Sequence, residues 1–69
     1  GADVNARDET GATALMLASA NGHFEVVKLL LSKDADLKIK ADNGSTALTV
    51  ASMRGHTKVV KLLVANGAK

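Results

Sequence analysis

The sequence repeats itself at a spacing of 33 residues, and this feature limits the possible folds more than any other. The first 33 residues align without a gap with the next 33, and nearly half of the aligned positions are identical. Such a repeat is typical of a solenoid, in which each unit is too small to bury its own apolar side chains and shares a core with its neighbour. We therefore predict a single domain over residues 1–69, with repeat 1 at 1–33, repeat 2 at 34–66 and the start of a third repeat at 67–69.

Each repeat contains the pattern of two short helices joined by a glycine turn. In repeat 1, Thr13 is a good N-cap for a helix over 14–20, and Gly22 ends that helix because glycine adopts left-handed conformations without strain. Residues 24–32 carry apolar side chains three and four positions apart, which predicts a second, antiparallel helix. The polar stretch 5–12 predicts a hairpin-like finger. Because repeat 2 has the same pattern, we expect an all-α fold of two stacked helix-turn-helix units with β-turn finger loops.

The apolar faces of these helices predict the core that the two repeats share. Leucine and valine occur there at helical spacing, with alanine where two helices approach closely. The expected core residues are Leu15, Leu17, Ala18, Val26, Val27, Leu30 and Leu31 in repeat 1, and Leu48, Val50, Ala51, Val59, Val60, Leu63 and Val64 in repeat 2.

Repeat 1 carries three distinctive stretches: GADVNA at 1–6, DETGATALMLAS at 8–19 and GHFEVVKLLL at 22–31. Together with their counterparts in repeat 2, these stretches resemble the ankyrin repeat over the whole chain. The resemblance implies an all-α ankyrin-repeat solenoid. It also implies a scaffold for protein recognition that has no enzymatic activity.

Departures from the ankyrin pattern predict a loss of stability. Where the family has Thr-Pro-Leu-His, Ala14 and Met16 replace proline and histidine in repeat 1, and Ala47 and Thr49 replace them in repeat 2. Losing proline frees the unfolded chain, which costs up to about 1 kcal/mol per site, and losing histidine removes hydrogen bonds that the resemblance implies between repeats. Asp34 replaces the first glycine of the family's Gly-Ala-Asp, where a left-handed conformation strains any side chain. We expect this repeat junction to be loose.

The resemblance also implies where a partner would bind, in a groove between the finger tips and the exposed side of the first helix of each repeat. Trp and Tyr, which often anchor protein interfaces, are absent from the sequence, and the partner's identity is not encoded in any motif. Mixed charges on this surface favour a polar partner and salt-sensitive association. Carried over position by position, the surface consists of Arg7, Glu9, Thr10, Ala12, Ala20 and Asn21 in repeat 1, and Lys40, Asp42, Asn43, Ser45, Met53 and Arg54 in repeat 2.

The sequence does not support a catalytic or metal-binding site. Ser19 lies four residues before His23, but the same pair recurs as Ser52 and His56 with a helix-ending glycine between the partners, which indicates a structural role in stacking. Three aspartates close together in repeat 2 lack the remaining ligands of a calcium loop and fit turns instead. With no Cys and no glycine-rich phosphate loop, we expect no enzyme, no cofactor, no metal and no small-molecule substrate.

Charge and hydropathy argue against nucleic acids and membranes as partners. The pI of about 9.2 reflects a net charge of +2, with a slight acidic excess over 1–33 and a basic excess over 34–69. Binding to single-stranded nucleic acid normally needs aromatic stacking platforms, and Phe24 is the only aromatic residue. The longest uninterrupted apolar run, 14–18, has only five residues and is far too short to span a membrane. The compartment stays open, with the cytoplasm favoured for a natural protein.

An alternative interpretation is a minimal or designed structural fragment without an evolved ligand. The chain begins at Gly1 rather than Met, and it begins and ends in the same phase of the repeat, as an excised or engineered piece would. Solenoids usually have polar capping repeats at their ends. Uncapped ends would leave apolar faces in solvent, and we expect such a chain to self-associate into dimers or open arrays.

Overall fold

A computed structural model describes residues 4–67, and over this range the chain forms four α-helices and no β-strand. The helices are α1 (Ala14–Ala20), α2 (Phe24–Ser32), α3 (Ala47–Met53) and α4 (Thr57–Ala65). The first two belong to repeat 1 and the last two to repeat 2. Arg7 and Thr13 form an isolated antiparallel bridge at the base of the first finger. The all-α fold predicted from the sequence is therefore confirmed.

The ends of the first helix in each repeat follow from local sequence. Thr13 Oγ1 accepts a hydrogen bond from Met16 N at 3.3 Å, and Thr46 Oγ1 accepts one from Thr49 N at 3.2 Å. These bonds satisfy backbone N–H groups that have no partner inside the helix. Gly22 follows α1 with a φ of 70°, a value that would strain a residue with a side chain. The N-cap and the helix-ending glycine predicted for repeat 1 are thus confirmed.

The two helix pairs stack side by side and share one core. α1 packs against α3, α2 packs against α4, and the two helices of each repeat also contact each other. Leu15, Val27, Val59 and Leu63 lie in this core and are at most 1% exposed. Burying one such side chain stabilises the fold by about 1.5–3 kcal/mol. Because each repeat contributes part of the core, neither helix pair would bury these side chains alone.

The core prediction was wrong for Leu17, Val26 and Val64, which are about half exposed, while the other predicted core residues are buried or partly buried. Val59, the counterpart of Val26 in repeat 2, is 1% exposed because repeat 1 packs against it. Leu31, the counterpart of Val64, is likewise more buried than Val64. Leu17 faces a groove that is open to solvent. Helical periodicity identifies an apolar face, but it does not say which part of that face a neighbour covers.

Six buried residues lie outside the predicted core: Gly11, Thr13, Met16, Ser19, Ala35 and Ala47. Met16 stands where the family has histidine, and it is 4% exposed within the apolar cluster. A methionine side chain is flexible enough to fill an irregular gap, so this position contributes packing in place of hydrogen bonds. The loss of stability expected from the missing histidine stays a prediction.

Asp34 lies two residues after the end of α2 and adopts the left-handed conformation, with a φ of 65°, as predicted for this junction. Asp34 N donates to Leu31 O and Ala35 N donates to Leu30 O, both at 3.1 Å, which closes the end of the helix. Gly67 occupies the equivalent position after α4 with a φ of 101°. An aspartate here carries a backbone strain that glycine avoids. The looser junction expected from this strain stays a prediction.

Candidate functional site

Finger 1, formed by residues 5–12, is a hairpin-like loop held together by Asp8. Asp8 N donates to Ala12 O at 2.8 Å, and Gly11 N donates to Asp8 O at 2.9 Å. The Asp8 carboxylate accepts hydrogen bonds from Thr10 Oγ1 at 2.7 Å, Thr10 N at 2.8 Å and Ala12 N at 3.0 Å. These bonds, with that from the Thr10 side chain the strongest, lower the pKa of Asp8 because they favour the charged carboxylate.

Finger 2, formed by residues 38–45, has the same backbone closure with a different side chain. Ala41 N donates to Ser45 O, and Gly44 N donates to Ala41 O, both at 2.8 Å. Asn43 Oδ1 accepts a hydrogen bond from Ser45 N at 3.0 Å, which supplies part of the support that a carboxylate provides in finger 1. Both repeats therefore have the finger that their sequences predict.

Arg7 joins the two fingers. Arg7 Nε donates to Gly11 O at 3.0 Å within finger 1, and Arg7 Nη2 donates to Lys40 O at 2.7 Å in finger 2. The same Nη2 lies 3.8 Å from Asp42 Oδ1, and Asp42 N donates to Thr10 O at 2.9 Å. The ion pair is exposed and contributes little by itself. The hydrogen bonds from Arg7 and Asp42 are what hold the fingers side by side.

A groove of about 610 Å³ lies between the two fingers and the helices α1 and α3. Leu17 and Val50 form part of an apolar floor that is open to solvent. Glu9 and Asp42 line the finger side, and Arg54 lines the helix side. Within residues 4–67, neither the Glu9 nor the Arg54 side chain forms an ion pair or a hydrogen bond. The groove thus combines an apolar floor with free charges of both signs.

Seven of the twelve residues predicted for the binding surface line this groove: Glu9, Thr10, Ala12, Asp42, Asn43, Ser45 and Arg54. Four further lining residues were not predicted: Met16, Leu17, Ala41 and Val50. A signal for two of them is present in the sequence. Leu17 lies three residues before Ala20, and Val50 lies three residues before Met53, so each shares a helix face with a residue that the resemblance selects.

The other five predicted residues are not part of the groove lining: Arg7, Ala20, Asn21, Lys40 and Met53. Asn21 Nδ2 donates to Leu17 O at 2.8 Å, so this amide supports the C-terminal end of α1. Met53 is 78% exposed, the highest value among the large apolar side chains of residues 4–67. The prediction therefore combines groove residues with residues that support the groove or lie beside it.

His56 forms a hydrogen bond between the repeats, since its Nε2 donates to Ala20 O at 3.0 Å. Ser19 Oγ is buried and has no hydrogen-bond partner among the described residues. Ser19 and His23 therefore do not form the bonded pair that an activated nucleophile requires. Over the described range, no group of three or more His, Asp or Glu side chains is placed to hold a metal ion. No helix in that range is long and apolar enough to cross a membrane.

Comparison with known families agrees with this architecture of stacked helix pairs and fingers. The sequence profile of ankyrin repeats (3 copies) matches residues 1–69. The chain belongs to the ankyrin-repeat family. The resemblance drawn from the sequence, and the fold that it implies, are therefore confirmed. Ankyrin repeats are modules for protein interaction.

Two known proteins contain regions similar to this ankyrin-repeat chain. Ankyrin repeat domain-containing protein 29 from Danio rerio is 49% identical over 35 residues, which cover 51% of this chain and 12% of that protein. The solved structure of the predatory endopeptidase Bd0816 from Bdellovibrio bacteriovorus in complex with the immunity protein Bd3460 contains a chain with a TM-score of 0.95 and 43% identity. That match covers 97% of this chain and 35% of the other. The ankyrin-repeat chain thus spans about a third or less of these longer proteins.

Proposed function

We propose that this ankyrin-repeat chain is a non-enzymatic module that binds a protein partner through the groove between its fingers and the first helix of each repeat. The observation that carries the proposal is the groove, an open space of about 610 Å³ to which both repeats contribute. The similar chain of known structure comes from a complex between two proteins, which supports a role in protein recognition.

The groove favours a partner segment with an apolar side chain flanked by charged ones. Leu17 is half exposed and offers a contact for the apolar side chain. Glu9 suits a basic group of the partner, and Arg54 suits an acidic group, because both side chains lack partners within residues 4–67. In addition to Arg54, Lys40 on finger 2 provides an exposed positive charge. Such charge complementarity raises association rates and makes them sensitive to salt.

The test uses peptides selected for binding to the chain from a random displayed library, with Bd0816 and Bd3460 as two protein probes. Affinities are measured by calorimetry for the wild type and for Leu17→Glu, Arg54→Ala and Lys40→Ala. We expect each substitution to weaken binding by about fivefold or more, which corresponds to the cost of removing one contributing contact. Binding is also expected to weaken at higher ionic strength.

Lys58→Ala and Lys61→Ala are the matched controls, because both remove an exposed positive charge from α4, away from the groove lining. We expect them to leave the affinities unchanged. If the selected ligands bound the Leu17, Arg54 and Lys40 variants and the wild type equally well, the proposed binding surface would be wrong. Loss of binding in the α4 variants alone would move the interaction to that helix.

We also propose that the chain self-associates by stacking. Ser19 in repeat 1 is fully buried, whereas Ser52, at the same position in repeat 2, is exposed. Within residues 4–67, repeat 2 therefore presents to solvent a surface whose counterpart in repeat 1 is covered by a repeat. Sedimentation with interference optics suits this measurement because the chain has no Trp or Tyr, and a mass that rises with concentration is the expected result. A mass that stayed at 7.1 kDa throughout would count against stacking.

A further inference from the structure

Repeat 2 packs closely against one face of repeat 1. We call the face that contacts the following repeat the C-terminal face of a repeat. Ser19 on this face is fully buried. A Cβ atom built on Gly22 would lie 2.6 Å from His56 Nδ1, and one built on Gly11 would lie 2.7 Å from Asp42 Oδ1. Real atoms do not approach so closely, so repeat 2 fits against repeat 1 without room for a single added carbon.

Repeat 2 has the same C-terminal face, and in the described part of the chain that face is open to solvent. The counterparts of the three residues are Ser52, Gly44 and Gly55, and all three are exposed. Among residues 4–67, apart from the glycine itself and its two chain neighbours, no atom lies within 4 Å of a Cβ atom built on either glycine. A surface shaped to receive a repeat is therefore present a second time on repeat 2.

We call the face that contacts the preceding repeat the N-terminal face of a repeat. Repeat 1 has such a face as well. In repeat 2 this face includes Ala47 and Val59, which are at most 2% exposed because repeat 1 packs against them. Their counterparts in repeat 1, Ala14 and Val26, are exposed. Both halves of a repeat junction are thus present on one chain, and burying their apolar atoms favours association.

The donor and the acceptor of the hydrogen bond at the repeat junction also have counterparts, one on each of the two open faces. His56 Nε2 donates to Ala20 O across the junction. His23 occupies the matching place on the N-terminal face of repeat 1, and the Met53 carbonyl occupies it on the C-terminal face of repeat 2. Because His23 is exposed, its ring is accessible to a second chain.

The charged pair at the junction is reproduced with the same signs. Arg7 and Asp42 lie 3.8 Å apart between the fingers. Their counterparts are Lys40, on the C-terminal face of repeat 2, and Glu9, on the N-terminal face of repeat 1. Within residues 4–67, neither of these two side chains forms an ion pair or a hydrogen bond of its own. Opposite charges therefore stand at matching edges of the two open faces, which favours one orientation of a second copy.

We propose that the C-terminal face of repeat 2 binds the N-terminal face of repeat 1 in a second copy of this chain, with Lys40 beside the second copy's Glu9. The inference rests on the self-association proposed above and adds its orientation and register. Because the contact joins two different surfaces, each added chain leaves one surface of each kind open. Chains therefore associate head to tail into arrays instead of closing as symmetric dimers.

The register is tested by reversing the two charges separately. Lys40→Glu and Glu9→Lys each place like charges at the contact, and we expect each variant to associate about threefold to fivefold more weakly than the wild type. An equimolar mixture of the two variants restores opposite charges at every contact between unlike chains, so its sedimentation is expected to return to that of the wild type. Lys28→Glu makes the same charge change on the outer side of α2 and is the control.

A bulky side chain on the open face tests the same register without changing the charged pair. Ser52→Arg should stop association while the single chain keeps its fold, because Ser52 is exposed. Ser32→Arg is the control, since Ser32 and its counterpart Ala65 are both exposed and lie outside both faces. Circular dichroism checks that each variant is helical.

The outcomes separate the register from self-association itself. Recovery in the charge-reversed mixture together with loss in Ser52→Arg supports the head-to-tail contact. Association that was unaffected by Ser52→Arg and by both charge reversals would overturn this register and leave self-association standing. A monomer at every concentration would overturn both proposals, and it would leave groove binding to be judged by the peptide and protein probes.

Discussion

Ser19→Ala is expected to raise the free energy of unfolding, because it removes a hydroxyl that is fully buried and lacks a hydrogen-bond partner among the described residues. Ser52 occupies the same position in repeat 2, in a helix of the same length, but it is exposed. The pair of substitutions therefore separates the effect of burial from the effect of the residue type.

The expected magnitudes differ between the two sites. Burying a hydroxyl without a partner costs about 1–3 kcal/mol, and Ser19→Ala recovers that cost. Alanine is also a better helix former than serine by about 0.5 kcal/mol at either site. We therefore expect Ser19→Ala to stabilise the fold by about 1.5–3.5 kcal/mol and Ser52→Ala by about 0.5 kcal/mol. In thermal unfolding, each 1 kcal/mol corresponds to a shift in Tm of about 4–8 °C for a domain of this size.

Urea unfolding followed by far-ultraviolet circular dichroism measures these differences without an aromatic reporter. All variants are compared at one low protein concentration, because any self-association would add to the apparent stability. With a slope of about 1 kcal/mol per molar urea, the midpoint of Ser19→Ala should exceed that of Ser52→Ala by about 1 M or more. Equal shifts, or a lower midpoint for Ser19→Ala, would mean that the buried hydroxyl carries no penalty and would refute the reasoning.

Two further predictions follow from the hydrogen bonds. His56→Ala leaves the Ala20 carbonyl without its partner and should lower the free energy of unfolding by about 1–2 kcal/mol. His23→Ala, at the exposed matching position, should change the free energy of unfolding by less than about 0.5 kcal/mol in the same urea assay. Equal effects of the two substitutions would exclude a contribution from the cross-repeat hydrogen bond. The pKa of Asp8 is lowered in the folded chain, so its stabilising contribution is complete above its unfolded value and is lost as the pH falls through the folded value. In carbon-detected NMR titrations, Thr10→Ala should move the pKa of Asp8 back up toward 3.8, and a wild-type midpoint already at 3.8 would contradict the hydrogen bonds seen here.

The helices could be predicted from the sequence because local residues determine their ends. Thr13 and Gly22 act within a few residues of α1, so their effect does not depend on the rest of the fold. Burial depends on the neighbouring repeat, and here the sequence was less informative. Val26 and Val59 have the same place in the repeat pattern, yet within residues 4–67 only Val59 has a repeat packed against it.

The groove was predicted in part, for a similar reason. The resemblance places Glu9 and Arg54 on the surface, and both line the groove. It does not identify Leu17 as part of the floor, because an apolar residue at helical spacing fits a core equally well. Arg7 also contacts finger 2, which lies 33 residues further along the chain. This contact depends on how closely the two fingers pack, and no local sequence pattern encodes that packing.

The position of Arg7 has a consequence for how the groove would bind a ligand. One guanidinium holds Gly11 O and Lys40 O at once, so the two fingers form a single preorganised wall before any ligand arrives. A ligand that docks there does not have to immobilise two independent loops, and the entropy lost on binding is smaller by that amount. Arg7 can therefore strengthen binding without touching the ligand, by restricting the unbound chain to the conformation that binds.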